Sequence, residues 1–85
     1  MNYETVIHSL IDPIVSDPSS VLIRVSEGAT EKDVLILIVS EKSDTARLIG
    51  KHGAVANALR EMMSVAGKSQ NKRIHLKFES FDEEN

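Results

Sequence analysis

Two glycines, Gly50 and Gly53, enclose one lysine and one histidine between two segments that have a helical pattern. Because glycine has no Cβ atom, the backbone of a nucleic acid can approach the protein backbone closely at such a turn. The enclosed residues, Lys51 and His52, can offer N–H groups and positive charge to a phosphate. This chemistry is binding, with no bond made or broken. The spacing also fits a plain helix boundary without a ligand, in which Gly50 ends one helix and Gly53 starts the next.

The composition argues against an enzyme. The chain has 85 residues and no cysteine, which excludes a disulfide, a thiolate nucleophile and a thiolate metal site. No Ser/His/Asp arrangement, metal-ligand spacing or pair of carboxylates stands out. The G-x-x-G turn is also shorter than a nucleotide-binding P-loop, which ends in Lys followed by Ser or Thr. We therefore expect no catalytic residue, no cofactor and no metal.

The length of the chain corresponds to a single domain, residues 1–85. Its N-terminus lacks the basic start and the apolar run of a signal peptide. No apolar run approaches the length that crosses a bilayer. The sequence therefore predicts a cytoplasmic protein without a membrane partner.

Charge is distributed unevenly along the chain. Residues 41–79 carry eight lysines and arginines against four acidic residues, a net +4, whereas the remainder carries two against nine, a net −7. Together these give the formal charge of −3. A local basic region on an acidic protein favours a small, defined contact over non-specific coating of long polyanions. The same basic residues also fit a solvated face without a ligand.

Hydrophobic periodicity predicts the element order α-β-β-α-α-β. Helices are expected over residues 2–15, 43–49 and 53–66, and strands near residues 20–27, 33–40 and 72–79. Gly67 is expected to end the third helix, and an acidic tail follows at residues 82–85. A helical pair between the second and third strands allows these strands to run parallel. The predicted fold is α+β, a three-stranded mixed sheet covered on one face by helices.

This order, with a G-x-x-G turn joining the two middle helices, resembles a type II KH domain over nearly the whole chain. The resemblance lies in Arg47-Leu48-Ile49-Gly50-Lys51-His52-Gly53 and the following Ala54-Val55-Ala56-Asn57-Ala58-Leu59-Arg60. These residues match the family pattern of an apolar residue before the first glycine and apolar residues at helical spacing after the second. In length and scarcity of aromatic residues, the chain is similar to small bacterial RNA-binding proteins with one KH domain, the KhpA/YlqC type.

The resemblance implies that the turn clamps about four nucleotides of single-stranded RNA. It implies a groove between the two helices and the strand Val34–Val39, with a far rim at the loop 68–72. Lys51 would supply charge, and His52 is either a phosphate donor or a plain exposed loop residue. The implied RNA-binding residues are Gly50, Lys51, His52, Gly53, Arg47, Leu48, Ile49, Ala54, Val55, Lys68 and Lys72.

The resemblance also implies a cellular role. It points to an RNA chaperone or post-transcriptional regulator with links to cell shape and cell division, acting beside a larger KH-containing partner protein.

The aromatic residues are only Tyr3, Phe78 and Phe81, so bases are expected to lie against aliphatic side chains. One copy of the domain should therefore bind RNA with modest affinity.

A protein-interaction module is the alternative function. Apolar residues fill roughly 200° of a helical wheel of residues 54–66, whereas a surface helix needs only about 100° to face a core. Met62 and Met63 lie about 100° apart on this arc, so one of them should be partly exposed in a monomer. The surplus is either loose surface or a docking stripe. Such a stripe would bind another protein, such as a larger RNA-binding partner, or form a homodimer with Met62 and Met63 at its interface. Dimerisation can coexist with RNA binding, because pairing two weak binding domains raises avidity.

Overall fold

The computed structural model describes residues 2–81 and confirms the predicted element order. The predicted acidic tail, residues 82–85, lies outside the described residues. The elements are α1 (Tyr3–Ile11), β1 (Leu22–Glu27), β2 (Asp33–Ser40), α2 (Lys42–Ile49), α3 (Ala54–Ser69) and β3 (Arg73–Ser80). Short 3₁₀ turns occupy Pro18–Ser20 and Lys51–Gly53. Because the first of these turns includes residue 20, β1 starts at Leu22 and not at the expected residue 20. The bounds of β2, β3 and α2 differ from the predicted bounds by at most one residue.

The sheet is three-stranded and mixed, in the order β1-β2-β3. β1 pairs antiparallel with β2, and β2 pairs parallel with β3. The register places Ile36 of β2 between Val25 and Leu76. α2 and α3 form the connection between the two parallel strands, as the predicted crossover requires.

The core lies between the helices and one face of this sheet. Successive side chains of a strand point to opposite faces, so Ile36 and Ile38 face the helices and are fully buried. Leu35, on the other face, is 43 % exposed. α1 contributes Ile7 and Ile11 to the same core. The other buried apolar residues are Val15, Ile23, Val34, Leu48, Ala56, Leu59, Met63 and Leu76.

The first helix is shorter than the expected 2–15 because it ends at Ile11. Pro13 lies two residues beyond Ile11, and a proline neither donates an N–H nor fits within a helix interior. The backbone continues as a turn in which the N–H groups of Ile14 and Val15 donate to the Ile11 carbonyl. Val15 is nevertheless buried, which is why the apolar periodicity runs past the end of the helix.

The expectation that Gly67 ends the third helix is wrong, because α3 continues to Ser69. The helix ends in a Schellman motif, with Asn71 in the left-handed region at φ 58°. The Lys72 N–H donates to the Gly67 carbonyl at 2.8 Å, and the Asn71 N–H donates to the Lys68 carbonyl at 3.1 Å. A Cβ atom on Gly67 would lie 2.7 Å from Ile74 Cγ1, so glycine is needed there for close packing of β3.

A buried carboxylate fastens the linker before β1 to α2. Asp44 is fully buried and accepts hydrogen bonds from the Ser16 and Asp17 N–H groups at 2.8 and 3.1 Å. The Ser16 hydroxyl and Arg47 Nη1 also donate to it. The Ser16 N–H is the largest cause that holds the pKa of the Asp44 carboxyl below its usual value, and burial opposes it.

A second carboxylate, Asp33, fastens the start of β2 to β3. It accepts from Arg73 Nε at 2.9 Å and lies 3.0 Å from His75 Nε2. The hydrogen bond from Arg73 is the largest cause, ahead of those from His75 and Thr30, that holds the pKa of Asp33 well below its usual range. His75 is exposed and contacts this carboxylate.

Acidification should therefore weaken folding through both carboxyls. Their pKa values in the folded protein lie below the unfolded value of about 3.9, so the stability they contribute is complete above that value. It is lost as the pH falls from about 4 through the folded pKa values. Urea denaturation from about pH 7 down to about pH 2.5 measures the loss.

The variant Asp44→Asn measures how much of this loss of stability is due to Asp44. It should lower the urea midpoint at neutral pH and flatten the acid branch of the stability profile. Glu61→Gln, at an exposed position of α3, is the matched control and should leave both unchanged. An acid branch of the same slope in wild type and Asp44→Asn would contradict a role for this carboxyl in acid stability.

Candidate nucleic-acid interface

The backbone of the G-x-x-G turn is held in conformations that favour glycine. Gly50 has φ 77° and ψ 175°, a region that essentially only glycine adopts. Gly53 is left-handed at φ 78°, and His52 is left-handed at φ 56°, a conformation that histidine tolerates better than most residues. The Gly50 N–H donates to the Ala46 carbonyl, and the Gly53 N–H donates to the Gly50 carbonyl. The turn is therefore a defined tight connection between α2 and α3.

The two glycines meet different constraints. A Cβ atom on Gly50 would lie 2.4 Å from Val55 Cγ2 and 2.8 Å from the Val55 nitrogen, so packing against α3 excludes it. A Cβ atom on Gly53 would find only Asn57 Nδ2 nearby, at 3.9 Å. Gly50 is thus required by the protein's own packing. Gly53 is required by its φ angle and leaves an open surface that a ligand can approach.

The turn presents the start of α3 to solvent. Gly53 is the N-cap residue, and no side chain caps the helix there. The Ala54 N–H already donates to the Lys51 carbonyl, and the positive end of the helix dipole favours an anion. Lys51 and His52 are both exposed beside this end. The turn therefore combines exposed side-chain donors with the positive end of a helix dipole.

The predicted groove residues next to the turn are not all accessible. Leu48 is completely buried in the core, so its assignment to the groove surface is wrong. The helical period turns it inward while leaving Ile49, the next residue, 39 % exposed. Ala54 is exposed and Val55 is half-buried. Apolar contact beside the turn is thus limited to Ile49, Ala54 and Val55.

Arg47 has a structural partner. Its Nη1 atom lies 2.7 Å from Asp44 Oδ1, while half of its side chain remains exposed. One edge of the guanidinium is thereby fixed on α2, which limits how far it can move toward a ligand. Arg47 accordingly forms an ion pair with the buried carboxylate of Asp44 and also contributes to the surface near the turn.

The strand predicted to form the opposite wall of the groove does not line an open surface below the helices. β2 is the central strand, and its residues Ile36 and Ile38 are buried under the helices. The edge strand beside α3 is β3. There the Arg60 guanidinium lies over the Phe78 ring, 5.5 Å from its centroid, and Arg60 Nη2 lies 3.5 Å from the Leu76 carbonyl.

Sequence reasoning missed Asn57 and Arg60 as candidate contacts. Both follow Gly53 at helical spacing, four and seven residues on, so they share its face of α3. Arg60 Nη1 donates to Asn57 Oδ1 at 3.2 Å, which aligns the two exposed side chains. The signal was this i, i+4, i+7 spacing after the turn. A polar and positively charged row thus leads away from the turn along α3.

Lys68 and Lys72 do not lie beside the turn. They flank the far end of α3, a helix of 16 residues and therefore about 24 Å long. Lys68 is exposed, and Lys72 Nζ donates to the Glu31 carbonyl at 2.8 Å. The two lysines form a separate cluster with Lys32 and Arg73. They are therefore not part of a short groove centred on Gly50–Gly53.

The two methionines of α3 differ in burial. Met63 is 1 % exposed and belongs to the core, so it is not available for a dimer interface. Met62 is 46 % exposed, and Val65 on the same side of the helix is 69 % exposed. The helical wheel correctly predicts that one methionine is left at the surface. Together with Ala54 and Ala58, Met62 and Val65 form a row that we call the apolar stripe.

Two other classes of site have no support in residues 2–81. No group of three or more His, Cys, Asp or Glu side chains in this part of the chain is placed to hold a metal ion. None of its helices combines the length and the apolar character that a bilayer span requires.

Comparison with known proteins identifies the family. Residues 4–78 match the family model described as "KhpA/KhpB, KH domain". The chain belongs to this family. It is a family of KH domains and not of enzymes, as the composition predicts.

Several curated relatives carry the same name. The RNA-binding protein KhpA of Bacillus subtilis (strain 168) is 34 % identical over 79 residues, which cover 93 % of each chain. The RNA-binding protein KhpA of Listeria monocytogenes (strain EGD-e) is 33 % identical over 73 residues, 86 % of this chain and 93 % of the relative. That of Aquifex aeolicus is 35 % identical over 54 residues, 64 % and 68 % of the two chains. No solved structure matches the chain significantly.

The two glycines of the turn should respond differently to alanine. Gly53→Ala places a side chain in open space at positive φ, and its cost should be the roughly 1–2 kcal/mol of a left-handed residue. Gly50→Ala should lower the free energy of unfolding by more, because its Cβ atom also collides with the Val55 backbone. Urea denaturation measures both values. Ala58→Gly, at an exposed site within α3, is a control of about 1 kcal/mol. Equal effects of the two glycine variants would contradict the packing role of Gly50.

Proposed function

We propose that this protein binds short single-stranded RNA through the turn Gly50–Gly53. The observation that carries the proposal is the uncapped start of α3, exposed behind a glycine turn whose enclosed residues are Lys51 and His52. The name "RNA-binding protein" of the relatives, which align over most of this chain, supports RNA as the ligand. KH domains clamp about four nucleotides with such a turn.

Each part of the site has a distinct task. Gly53 leaves space for the sugar–phosphate chain, and the positive end of the α3 dipole attracts its phosphates. Lys51 adds a positive charge, and His52 donates more strongly when it is protonated. Ile49, Ala54 and Val55 offer aliphatic surface to the bases.

The row along α3 extends this site. Asn57 and Arg60 offer donors to phosphate or base edges beyond the first nucleotides, and the stacking of Arg60 on Phe78 keeps its guanidinium at the surface. Arg47 supports the site from α2 through its exposed half. Since few phosphates are contacted, affinity for one copy should be modest.

The cellular part of the proposal rests on the family resemblance. The protein would act in the cytoplasm as an RNA chaperone or post-transcriptional regulator, in processes linked to cell shape and division. A site without catalytic groups suits such a role, because it can hold a strand and release it without changing it.

Reversal of charge at the turn tests the RNA site. Lys51→Asp combined with His52→Asp should abolish binding of a short single-stranded RNA in a fluorescence anisotropy assay, because two carboxylates repel phosphates at close range. The fold should be intact, because both side chains are exposed.

A matched control separates local repulsion from total charge. Lys42→Asp with Ser43→Asp changes the net charge equally, at exposed adjacent positions at the other end of α2, where acidic residues suit the helix dipole. This control should retain most of the affinity. Unchanged affinity of the folded turn variant would remove the turn from the mechanism.

We further propose that the apolar stripe Ala54, Ala58, Met62 and Val65 is a protein-interaction surface. The observation that favours this second function is the exposure of Met62 and Val65 side by side on one helix. A second copy of the chain can meet the same stripe across a two-fold axis, an isologous homodimer. Such a pair would present two RNA turns and gain avidity. A larger KH-containing protein is the other candidate partner for this stripe.

Met62→Asp should convert the homodimer into monomers. In the dimer it would place like charges against each other near the axis, where they are poorly solvated. Sedimentation at micromolar concentration measures the change, and Ser64→Asp, exposed on the other side of α3, is the matched control that should stay dimeric. A wild-type protein that is monomeric under these conditions would refute the homodimer and leave another protein as the candidate occupant.

A further inference from the structure

The sheet face opposite the helices carries a column of apolar side chains along its middle strand. Leu35, Leu37 and Val39 alternate along β2 with the buried residues and therefore point to this face. Leu35 is 43 % exposed, and Leu37 and Val39 are half-buried. None of the three belongs to the hydrophobic core of residues 2–81 or packs against it. We call these three residues the central column.

The sequence of β2 is typical of a strand that is covered on both faces. Residues Val34–Val39 form a continuous apolar run. Strands with parallel neighbours usually lie in sheets with both faces covered, and their sequences read as such runs. β3 alternates apolar and polar residues instead, as expected for a strand with one wet face. The pattern of β2 therefore indicates that a further layer covers the central column when the protein is in an assembly.

Two long cationic side chains stand on either side of this column. The register pairs Leu37 with Arg24 of β1 and with Lys77 of β3. Since neighbouring strands lie about 4.8 Å apart, the backbones of these two cations are about 10 Å apart. Between them lies a groove of about 460 Å³. An α-helix with its side chains is about 10–12 Å across, so the groove has the width of one helix.

The flanks of the groove favour negative charge. Arg24 is exposed, and its guanidinium forms no hydrogen bond or ion pair with any other residue of 2–81. Lys77 lies 3.6 Å from the Glu79 carboxylate, but this pair is exposed and therefore weak. His75, in the next row, is held by Asp33. An occupant with acidic residues on both sides of an apolar stripe would complement these flanks.

The same features argue against two other occupants. A second copy of the chain, related by a two-fold axis through the central column, would bring Arg24 and Lys77 against like charges. None of the side chains that line the groove is aromatic, so bases of RNA would find no stacking surface there.

We propose that this groove binds one amphipathic α-helix of a partner protein. The apolar stripe of the helix lies on the central column, and its acidic residues face Arg24 and Lys77. β2 has eight residues and is about 26 Å long, which corresponds to about 18 residues of helix. A single helix on three apolar residues makes a small interface, so the contact is transient. α3 lies on the other side of the sheet, so RNA and this partner can bind at the same time.

A designed peptide serves as the probe. It has about 18 residues, with leucine at every third or fourth position and glutamate on both sides of that stripe. Titrated into the ¹⁵N-labelled full chain, it should shift the amides of Arg24, Leu35, Leu37 and Lys77 and leave those of Gly50–Gly53 in place. The same peptide with lysine for glutamate should bind more weakly. The formal charge of −3 on the protein favours the lysine peptide, so a preference for glutamate must arise in the groove.

A pair of matched variants tests the apolar contact. Leu35→Gln should weaken the glutamate peptide at least about fivefold, as expected for a central apolar contact. Val25→Gln is the control, because Val25 is 42 % exposed but pairs with Ile36 on the helix-covered face of the sheet. This variant should leave the affinity unchanged.

A second pair of variants tests the charge complementarity. Arg24→Glu should weaken the glutamate peptide about fivefold, the upper range for an exposed charge pair, and strengthen the lysine peptide. Lys42→Glu makes the same change of charge at an exposed residue of α2 and should leave the preference for glutamate in place.

Several results would overturn the proposal. The first is an absence of shifts in the groove up to about 1 mM glutamate peptide, the weak end of measurable affinity. Equal affinity for the two peptides would contradict the acidic partner, and equal effects of Leu35→Gln and Val25→Gln would contradict the groove. Groove shifts on addition of RNA, or on concentration of the protein alone, would assign the face to RNA or to a second copy instead. The turn variant Lys51→Asp with His52→Asp should bind the peptide normally, which separates this proposal from the RNA site.

Discussion

The parallel pairing of β2 and β3 is the constraint on which the rest of the structure depends. Two parallel neighbours need a crossover connection, and here the connection is the pair α2 and α3 with the G-x-x-G turn between them. The turn therefore lies within the crossover and must reverse the chain tightly enough for both helices to cover the same sheet face. The candidate RNA site is a consequence of how this connection is closed.

The crossover needs close approach at both of its ends. At the turn, Gly50 admits the side chain and nitrogen of Val55, and at the far end Gly67 admits Ile74 as β3 begins. The same pairing aligns Asp33 with Arg73 and joins Lys32 to the start of β3. Packing of the sheet thus places a helix start without a side-chain cap at one end of α3 and the cluster of Lys32, Lys68, Lys72 and Arg73 at the other.

Local pattern in the sequence was sufficient to predict most of the fold. The apolar run of β2 and the alternation of β3 predicted the strands, and the crossover rule predicted their parallel direction. The ends of the helices were harder to predict, because they depend on the backbone conformation of single residues. Gly67 resembles a stop signal, yet its role is contact with Ile74, and the left-handed Asn71 ends the helix. Pro13 ended α1 although the apolar periodicity of this helix continued to Val15.

The candidate site was only partly predictable, because the burial of each side chain depends on the tertiary structure. The turn itself is contiguous in sequence, so Gly50–Gly53 could be singled out directly. Burial separates neighbours that look alike, and it places Leu48 and Met63 in the core while Ile49 and Met62 remain at the surface. The cluster of Lys32 with Lys68 and Arg73 joins segments far apart in the chain. Only the strand register brings these side chains together.

Backbone amide chemical shifts test the central claim most directly. Titration of the ¹⁵N-labelled protein with a single-stranded RNA of about four nucleotides should shift the amides of Lys51, His52, Gly53 and Ala54 most strongly. Those of Leu35 and Lys77, on the sheet face opposite the helices, should remain in place. Shifts concentrated on that sheet face, with the amides of the turn unchanged, would contradict the account.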